Sequence, residues 1–116
     1  MPEFSIDRVT EKTFSDFLFL LDSLALYEHL DLPDEHARSR LWEEIRSDHP
    51  KFEGYLGRLG DEPVGFVTFC FTYSTFVARP TLYLEDLFVR EEYRKRGFGA
   101  RLFAFCQNEA KVRGCG

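Results

Sequence analysis

A short segment rich in basic residues and glycine carries the clearest chemical signal in this sequence. It reads Arg94-Lys95-Arg96-Gly97-Phe98-Gly99 and lies between an apolar stretch and an amphipathic stretch with helical spacing. Because the two glycines have no side chains, an anion can approach the backbone closely. The first amides of a helix that begins here also lack hydrogen-bond partners within the helix. The helix dipole and three basic side chains add positive potential. The pattern predicts a pyrophosphate site; the alternative is an ordinary surface turn.

The spacing excludes two common phosphate loops. No Gly-Lys followed by Ser or Thr is present, as a Walker loop requires. The Gly-x-Gly-x-x-Gly pattern of dinucleotide-binding folds is not met either. An anion held here would therefore be bound mostly by backbone donors.

Two adjacent carboxylates, Glu85 and Asp86, lie within the apolar run that precedes this loop. Carboxylates are seldom placed among Leu and Phe without a partner, so this pair has either a structural partner or a functional role. A second candidate pair, Tyr27 and Glu28, ends a predicted helix. Its simpler interpretation is a packed ring and a solvated acid.

The elements that position these residues follow from hydrophobic spacing. Apolar residues at three- and four-residue steps predict a first helix that Thr10 caps and a second that Pro33 opens. A last helix is predicted over 97–112, with Gly114 as its left-handed cap. Its buried side is predicted to hold Leu102, Phe103, Cys106 and Ala110. The predicted strands are 4–9, 54–59, 63–72 and 82–89, with a turn at 60–62 and a loop at 74–80.

Size and composition fit one globular domain. The chain has 116 residues, 44% of them hydrophobic, and its thirteen Phe residues are expected in the core. A net charge of −5 argues against a nucleic-acid partner. No apolar run reaches the roughly 18 residues of a membrane span. The first residues do not resemble a signal peptide, so we expect no membrane partner and a cytoplasmic location.

The cysteines and histidines give no metal-site signal. Cys70, Cys106 and Cys115 are too widely spaced for a zinc or redox motif, so reduced and mostly packed thiols are expected. The three histidines also lack ligand-like spacing and are expected at the surface. We therefore predict no metal cofactor.

The run Leu82-Tyr83-Leu84-Glu85-Asp86-Leu87-Phe88-Val89, followed by Arg-x-x-Gly-x-Gly, resembles motif A of the GCN5-related N-acetyltransferases. Within that superfamily, Gly65-Phe66, Phe71-Thr72-Tyr73 and Leu24-Ala25-Leu26-Tyr27-Glu28 are similar to the spermidine/spermine (diamine) acetyltransferase branch. One departure is Lys95, where the branch usually has glycine.

The resemblance implies an α/β (α+β) fold in which helices flank a mixed, mostly antiparallel sheet. It also implies acetyl-CoA as co-substrate. Leu87 and Val89 would offer backbone groups to the pantetheine arm, and the loop would hold the pyrophosphate. The implied cofactor-binding residues are Leu87, Phe88, Val89, Arg94, Lys95, Arg96, Gly97, Phe98, Gly99 and Ala100.

The implied reaction is acetyl transfer to a primary amine, with a polyamine or a small diamine-like acceptor. Glu85 would assist removal of the amine proton, because an alkylammonium is protonated at neutral pH and cannot attack. The residues that would position the cationic amine are Tyr27, Glu28, Glu85 and Asp86. The family's general acid is a tyrosine in a later part of the fold. We therefore expect one domain, 1–116, truncated before the final strand-helix-strand units.

Other functions stay open at this point. The chain is alternatively a coenzyme A-binding module without catalysis, or an interaction domain in which the loop is only a turn. A related enzyme that acylates a protein N-terminus or an aminoglycoside is a further alternative. An uncovered strand edge and apolar helix face lead us to expect marginal stability or self-association, as a dimer.

Overall fold

A computed structural model describes residues 3–116 as a four-stranded antiparallel sheet with helices packed on its two faces. The strands lie in sequence order and are β1 (Phe4–Arg8), β2 (Glu53–Leu59), β3 (Glu62–Ser74) and β4 (Arg79–Val89). The helices are α1 (Phe14–Tyr27), α2 (Glu35–Arg46) and α3 (Phe98–Val112), and a 3-10 turn spans Glu91–Tyr93. Within the described residues, every helix is too short or too polar to cross a bilayer.

The core consists of two clusters on opposite faces of the sheet. β3 is buried on both faces, as its continuous apolar run predicts. Phe66 of β3 packs with Phe17 of α1 on one face, and Val67 packs with Leu102 of α3 on the other. The loop 94–99 therefore leads into α3 on one face of the sheet, while α1 lies on the opposite face.

The starts of α1 and α2 differ from the sequence prediction. α1 begins at Phe14 and not directly after Thr10, because the Thr10 amide donates to the hydroxyl of Thr13 at 2.9 Å. Pro33 does not open α2 as predicted: the helix begins two residues later, at Glu35, and the carboxylate of its N-cap Asp34 accepts a first-turn amide at 2.8 Å. A carboxylate oxygen satisfies a free amide, which a proline ring cannot do.

Three phenylalanines do not belong to the core. β3 and β4 pair as far as Ser74 and Arg79, so the connecting loop is shorter than predicted and carries Phe76 fully exposed at its tip. Phe19 on α1 and Phe103 on α3 are each 47% exposed. The prediction that all phenylalanines are buried is wrong at these positions. Phe103 lies beside the edge of β4, which no described strand covers.

The close approach of β4 to β3 depends on one glycine. Gly65 lies opposite Val89, and a Cβ at residue 65 would lie 2.3 Å from the carbonyl oxygen of Phe88. Real Cβ atoms do not come this close to a backbone oxygen, so a side chain here would separate the strands. Gly65 thus places the C-terminal end of β4, where the candidate site lies.

Candidate active site

The predicted anion loop has the backbone geometry of an anion-binding nest. Gly97 is left-handed (φ 83°), α3 begins at the next residue, and no side chain caps the helix. Left-handed and right-handed residues in succession turn their amides toward one side. The first hydrogen bond of α3 runs from Arg101 to the carbonyl of Gly97. Within residues 3–116, the amides of 95–100 therefore have no hydrogen-bond acceptor.

Lys95 shows why glycine is usual at this position in the branch that the sequence resembles. Its backbone is left-handed (φ 65°), a conformation that costs a residue with a side chain about 1–2 kcal/mol. The side chain forms no salt bridge with any described residue. Its charge therefore remains available at the rim of the loop.

The free edge of β4 presents backbone groups beside the loop. The Arg90 amide donates to the Val64 carbonyl on β3 at 2.9 Å. Successive residues of an antiparallel pair turn their backbone groups to opposite edges, so those of Leu87 and Val89 point away from β3. The Val89 carbonyl accepts a hydrogen bond from Nε of Arg94 at 2.8 Å. Among residues 3–116, no strand pairs with the Val89 amide or with either backbone group of Leu87.

These elements enclose a cleft of about 400 Å³ between the end of α1, the end of β4 and the loop before α3. Tyr27 and Glu28 line it together with eight of the ten residues implied in cofactor binding: Leu87, Phe88, Val89, Arg94, Lys95, Gly97, Phe98 and Gly99. Arg96 and Ala100 do not line it. The sequence gave no indication of Tyr93, which lies in the 3-10 turn and also lines the cleft.

Glu85 and Asp86 lie farther back on β4, at a β-bulge. Thr68 of β3 is opposite Asp86, whereas its neighbour Phe69 is opposite Leu84, so Glu85 is the extra residue. Glu85 is exposed and Asp86 is half-buried. Neither residue lines the 400 Å³ cleft, so the structure does not bring Glu85 and Asp86 together there with the residues implied in cofactor binding.

Three carboxylates form an acidic group next to the cleft. Burial raises the pKa of Asp86 above its ordinary value, and repulsion from Glu85 and Glu28 raises it further. Among the described residues, none of the three forms a salt bridge. The described residues therefore give Glu85 and Asp86 no ion-pair partner. An acidic group of this kind attracts a cation.

Replacing Asp86 by Asn should raise the free energy of unfolding at neutral pH. The pKa of Asp86 is raised on folding, so the folded chain binds this proton more tightly than the unfolded chain. Stability therefore falls as pH rises from the unfolded value of about 3.9 through the folded value, and the penalty persists above it. Urea unfolding should show the advantage of Asp86→Asn at pH 7 and a smaller one at pH 3. A variant no more stable than the wild type at pH 7 contradicts this.

Residues 17–116 match the model of the acetyltransferase (GNAT) family. This chain belongs to that family. The predicted superfamily is therefore confirmed, and the protein is an N-acetyltransferase. In the described part of this GNAT chain, the cleft joins the loop, the β4 edge and the end of α1.

Relatives of this acetyltransferase include enzymes named for amino acids. It is 26% identical over 114 residues to the thialysine N-epsilon-acetyltransferase of Caenorhabditis elegans, covering 98% of this chain and 69% of the relative. The Bos taurus enzyme of the same name is 30% identical, with 95% and 69% covered. The L-ornithine N5-acetyltransferase NATA1 of Arabidopsis thaliana is 39% identical over 71 residues, which is 60% of this chain and 31% of that protein.

Solved structures share the fold of this GNAT chain. A possible acetyltransferase from Clostridium difficile 630 superposes with a TM-score of 0.83 at 15% identity, over 97% of this chain and 75% of that one. A transcriptional regulator from Bacillus halodurans C-125 gives 0.80 at 25% identity, over 97% and 77%. These likenesses confirm the predicted α/β fold class, with helices flanking an antiparallel sheet.

Proposed function

We propose that this acetyltransferase transfers an acetyl group from acetyl-CoA to a primary amine of a small diamine-like molecule. One observation carries the proposal: a single cleft joins the amides of the loop, which have no acceptor within residues 3–116, to Glu28 of the acidic group that also includes Glu85 and Asp86. An anionic co-substrate and a cationic acceptor would thus meet at the end of β4. Relatives named for thialysine and ornithine support an acceptor with a terminal amine.

The loop fits the pyrophosphate of acetyl-CoA. A Cβ at Gly97 would meet no atom within 4 Å, and one at Gly99 would meet only Val89 and Leu87 side-chain atoms at 3.7 and 3.8 Å. Packing against the described residues therefore requires neither glycine, and both glycines line the open cleft. Arg94 and the amides of 96–100 would hold the phosphates, and Lys95 and Arg96 would add charge.

The β4 edge fits the pantetheine arm, which carries amide groups like those of a peptide strand. The free backbone groups of Leu87 and the Val89 amide would bond to it as to an added strand. The Leu87 amide would also donate to the thioester carbonyl oxygen, where negative charge develops during attack.

The acidic group would bind the amine as an ammonium and remove its proton. The neutral amine nitrogen would bond to the thioester carbon of acetyl-CoA, and the carbon–sulfur bond would then break. The coenzyme A thiolate would leave and take up the second proton that the nitrogen loses, which gives the amide and free coenzyme A. Glu28 and Asp86 would hold the incoming ammonium, beside the ring of Tyr27. Glu85, at the bulge and open to solvent, would accept the amine proton directly or through one water molecule.

Thermal unfolding with coenzyme A and an acetyl-transfer assay test the proposal together. A ligand at a hundredfold its dissociation constant stabilises the folded state by about 2.7 kcal/mol. We expect this stabilisation, and faster transfer to thialysine, ornithine or spermidine than to an aminoglycoside. Stabilisation without transfer to any amine would indicate a coenzyme A-binding module that lacks catalysis. No stabilisation would contradict the proposal.

A further inference from the structure

The core under α1 covers only part of the sheet face on which that helix packs. Phe66 of β3 and Phe88 of β4 lie opposite each other, and both belong to the core cluster that Phe17 of α1 joins. Farther along the same strand pair, Cys70 is opposite Tyr83, and neither residue belongs to that cluster. The two strands therefore continue past the core as a two-stranded ribbon with a more open face.

Tyr83 lies on this open face of the ribbon. Its neighbours Leu82 and Leu84 pack against the cluster under α3, so the alternation of a strand turns Tyr83 to the α1 side. Tyr83 is 56% exposed. Within residues 3–116 its ring stacks on no other aromatic ring and its hydroxyl makes no hydrogen bond. The ring is therefore accessible to a ligand on this side of the sheet.

The β-bulge at Glu85 places Tyr83 on the same face as Asp86. Residues three apart on a regular strand point to opposite faces, but the extra residue Glu85 restores Asp86 to the face of Tyr83. Their partners Thr68 and Cys70 are two residues apart on β3, so Tyr83 lies about 7 Å from Asp86 along the sheet. An aromatic ring thus follows the acidic group on one open surface.

We propose that Tyr83 selects acceptors that carry a second cationic end. This rests on the proposed function, in which Glu28 and Asp86 hold the amine that reacts. The acceptor chain lies along β4, and its second ammonium lies over the face of the Tyr83 ring, which is electron-rich. The distance of about 7 Å fits a chain of about four or five methylene groups between the two amines. Tyr83 is therefore a specificity-determining residue that sets both the charge and the length of the acceptor.

Tyr83→Leu tests this with 1,5-diaminopentane and pentylamine as acceptors, which share one carbon chain and differ in the second ammonium. The variant should raise the KM for the diamine by about fivefold at an unchanged kcat, because leucine retains an apolar contact but has no aromatic face. The KM for pentylamine should not change. Equal increases for both amines would show that the ring packs only on the carbon chain, and an unchanged KM for the diamine would show no contact; either would overturn the proposal.

Chain length gives a second test of the same ring. The short diamine 1,3-diaminopropane carries two ammonium groups but does not reach from Asp86 to Tyr83. Its KM should therefore be the same in the wild type and in Tyr83→Leu. An equal effect of the substitution on the short and the long diamine would mean that the ring acts on the reacting amine, and it would overturn the proposed selection by length.

Tyr73→Leu is the matched control on the opposite face of the ribbon. Phe71 packs against the cluster under α3, so Tyr73, two residues on, faces the same way, and it is 64% exposed. Its replacement should leave the KM for both amines unchanged. Tyr83→Phe keeps the ring and should keep the preference for the diamine. A loss of that preference in Tyr73→Leu or in Tyr83→Phe would overturn the role assigned to the Tyr83 ring.

Binding measured by NMR does not depend on acetyl transfer. The ring signals of Tyr83 should shift on titration with 1,5-diaminopentane, with a Kd about fivefold lower than that for pentylamine. Ring signals that do not move with the diamine, or equal Kd values for the two amines, would overturn the role of Tyr83. A wild-type chain that transfers acetyl to neither amine would instead contradict the proposed function, while the titration would still decide whether Tyr83 holds a second ammonium.

Discussion

Replacing Glu85 by Gln should lower kcat/KM for the amine by about 100- to 10,000-fold, the usual contribution of a general base. Glutamine keeps the shape of the side chain but cannot accept the amine proton. The activity of the variant should recover as pH approaches the pKa of a lysine-like amine, about 10.4, because the amine then loses its proton without help. Initial rates from pH 6 to 10 at saturating acetyl-CoA measure this.

Asp86→Asn is the matched control, because it removes the same charge from the adjacent residue. Asp86 is half-buried beside Glu85 and Glu28, so we expect it to hold the ammonium, and its replacement should raise KM more than it lowers kcat. A larger loss of kcat in Asp86→Asn than in Glu85→Gln would mean that Asp86 accepts the amine proton and that Glu85 holds the ammonium. Small and equal losses in both variants would show that neither residue takes the proton.

The loop was predictable from sequence because its geometry depends on neighbouring residues. Gly97 is left-handed where α3 starts, and the first amides of any helix have no acceptor within that helix. The order of the strands also depends on neighbouring segments, because each strand pairs with the next strand in the sequence. The left-handed Gly114 at the end of α3 was predicted for the same local reason.

Features that depend on distant residues could not be predicted. The contact between Arg94 and Tyr27 joins the loop to the end of α1, and nothing in either segment specifies the other. The bulge at Glu85 is visible only in the pairing with β3, because apolar alternation along β4 is the same with or without an extra residue. The exposure of Phe103 likewise depends on what covers β4, and helical spacing alone placed it on the buried side.

Gly97→Val should abolish measurable binding of coenzyme A, with a loss of affinity of about 100-fold or more. The left-handed backbone (φ 83°) is an outlier for a β-branched residue, so the loop must shift and its amides must turn. Each hydrogen bond to a charged group contributes about 1.5–3 kcal/mol, so loss of two is enough for this effect. Calorimetry with coenzyme A, at a temperature where the variant is folded, measures the change.

Gly114→Val is the control that distinguishes loss of the anion-binding loop in Gly97→Val from the effect of backbone strain alone. Gly114 is also left-handed (φ 75°), and a Cβ there would meet no atom within 4 Å, as at Gly97. Both variants should therefore lose a similar free energy of unfolding, about 1–2 kcal/mol, and only Gly97→Val should lose the ligand. Equal loss of binding in both would mean that strain in α3 itself removes the site. Retained binding in Gly97→Val would mean that the phosphates are held by side chains, since these are the only donors of the loop that the substitution leaves in place.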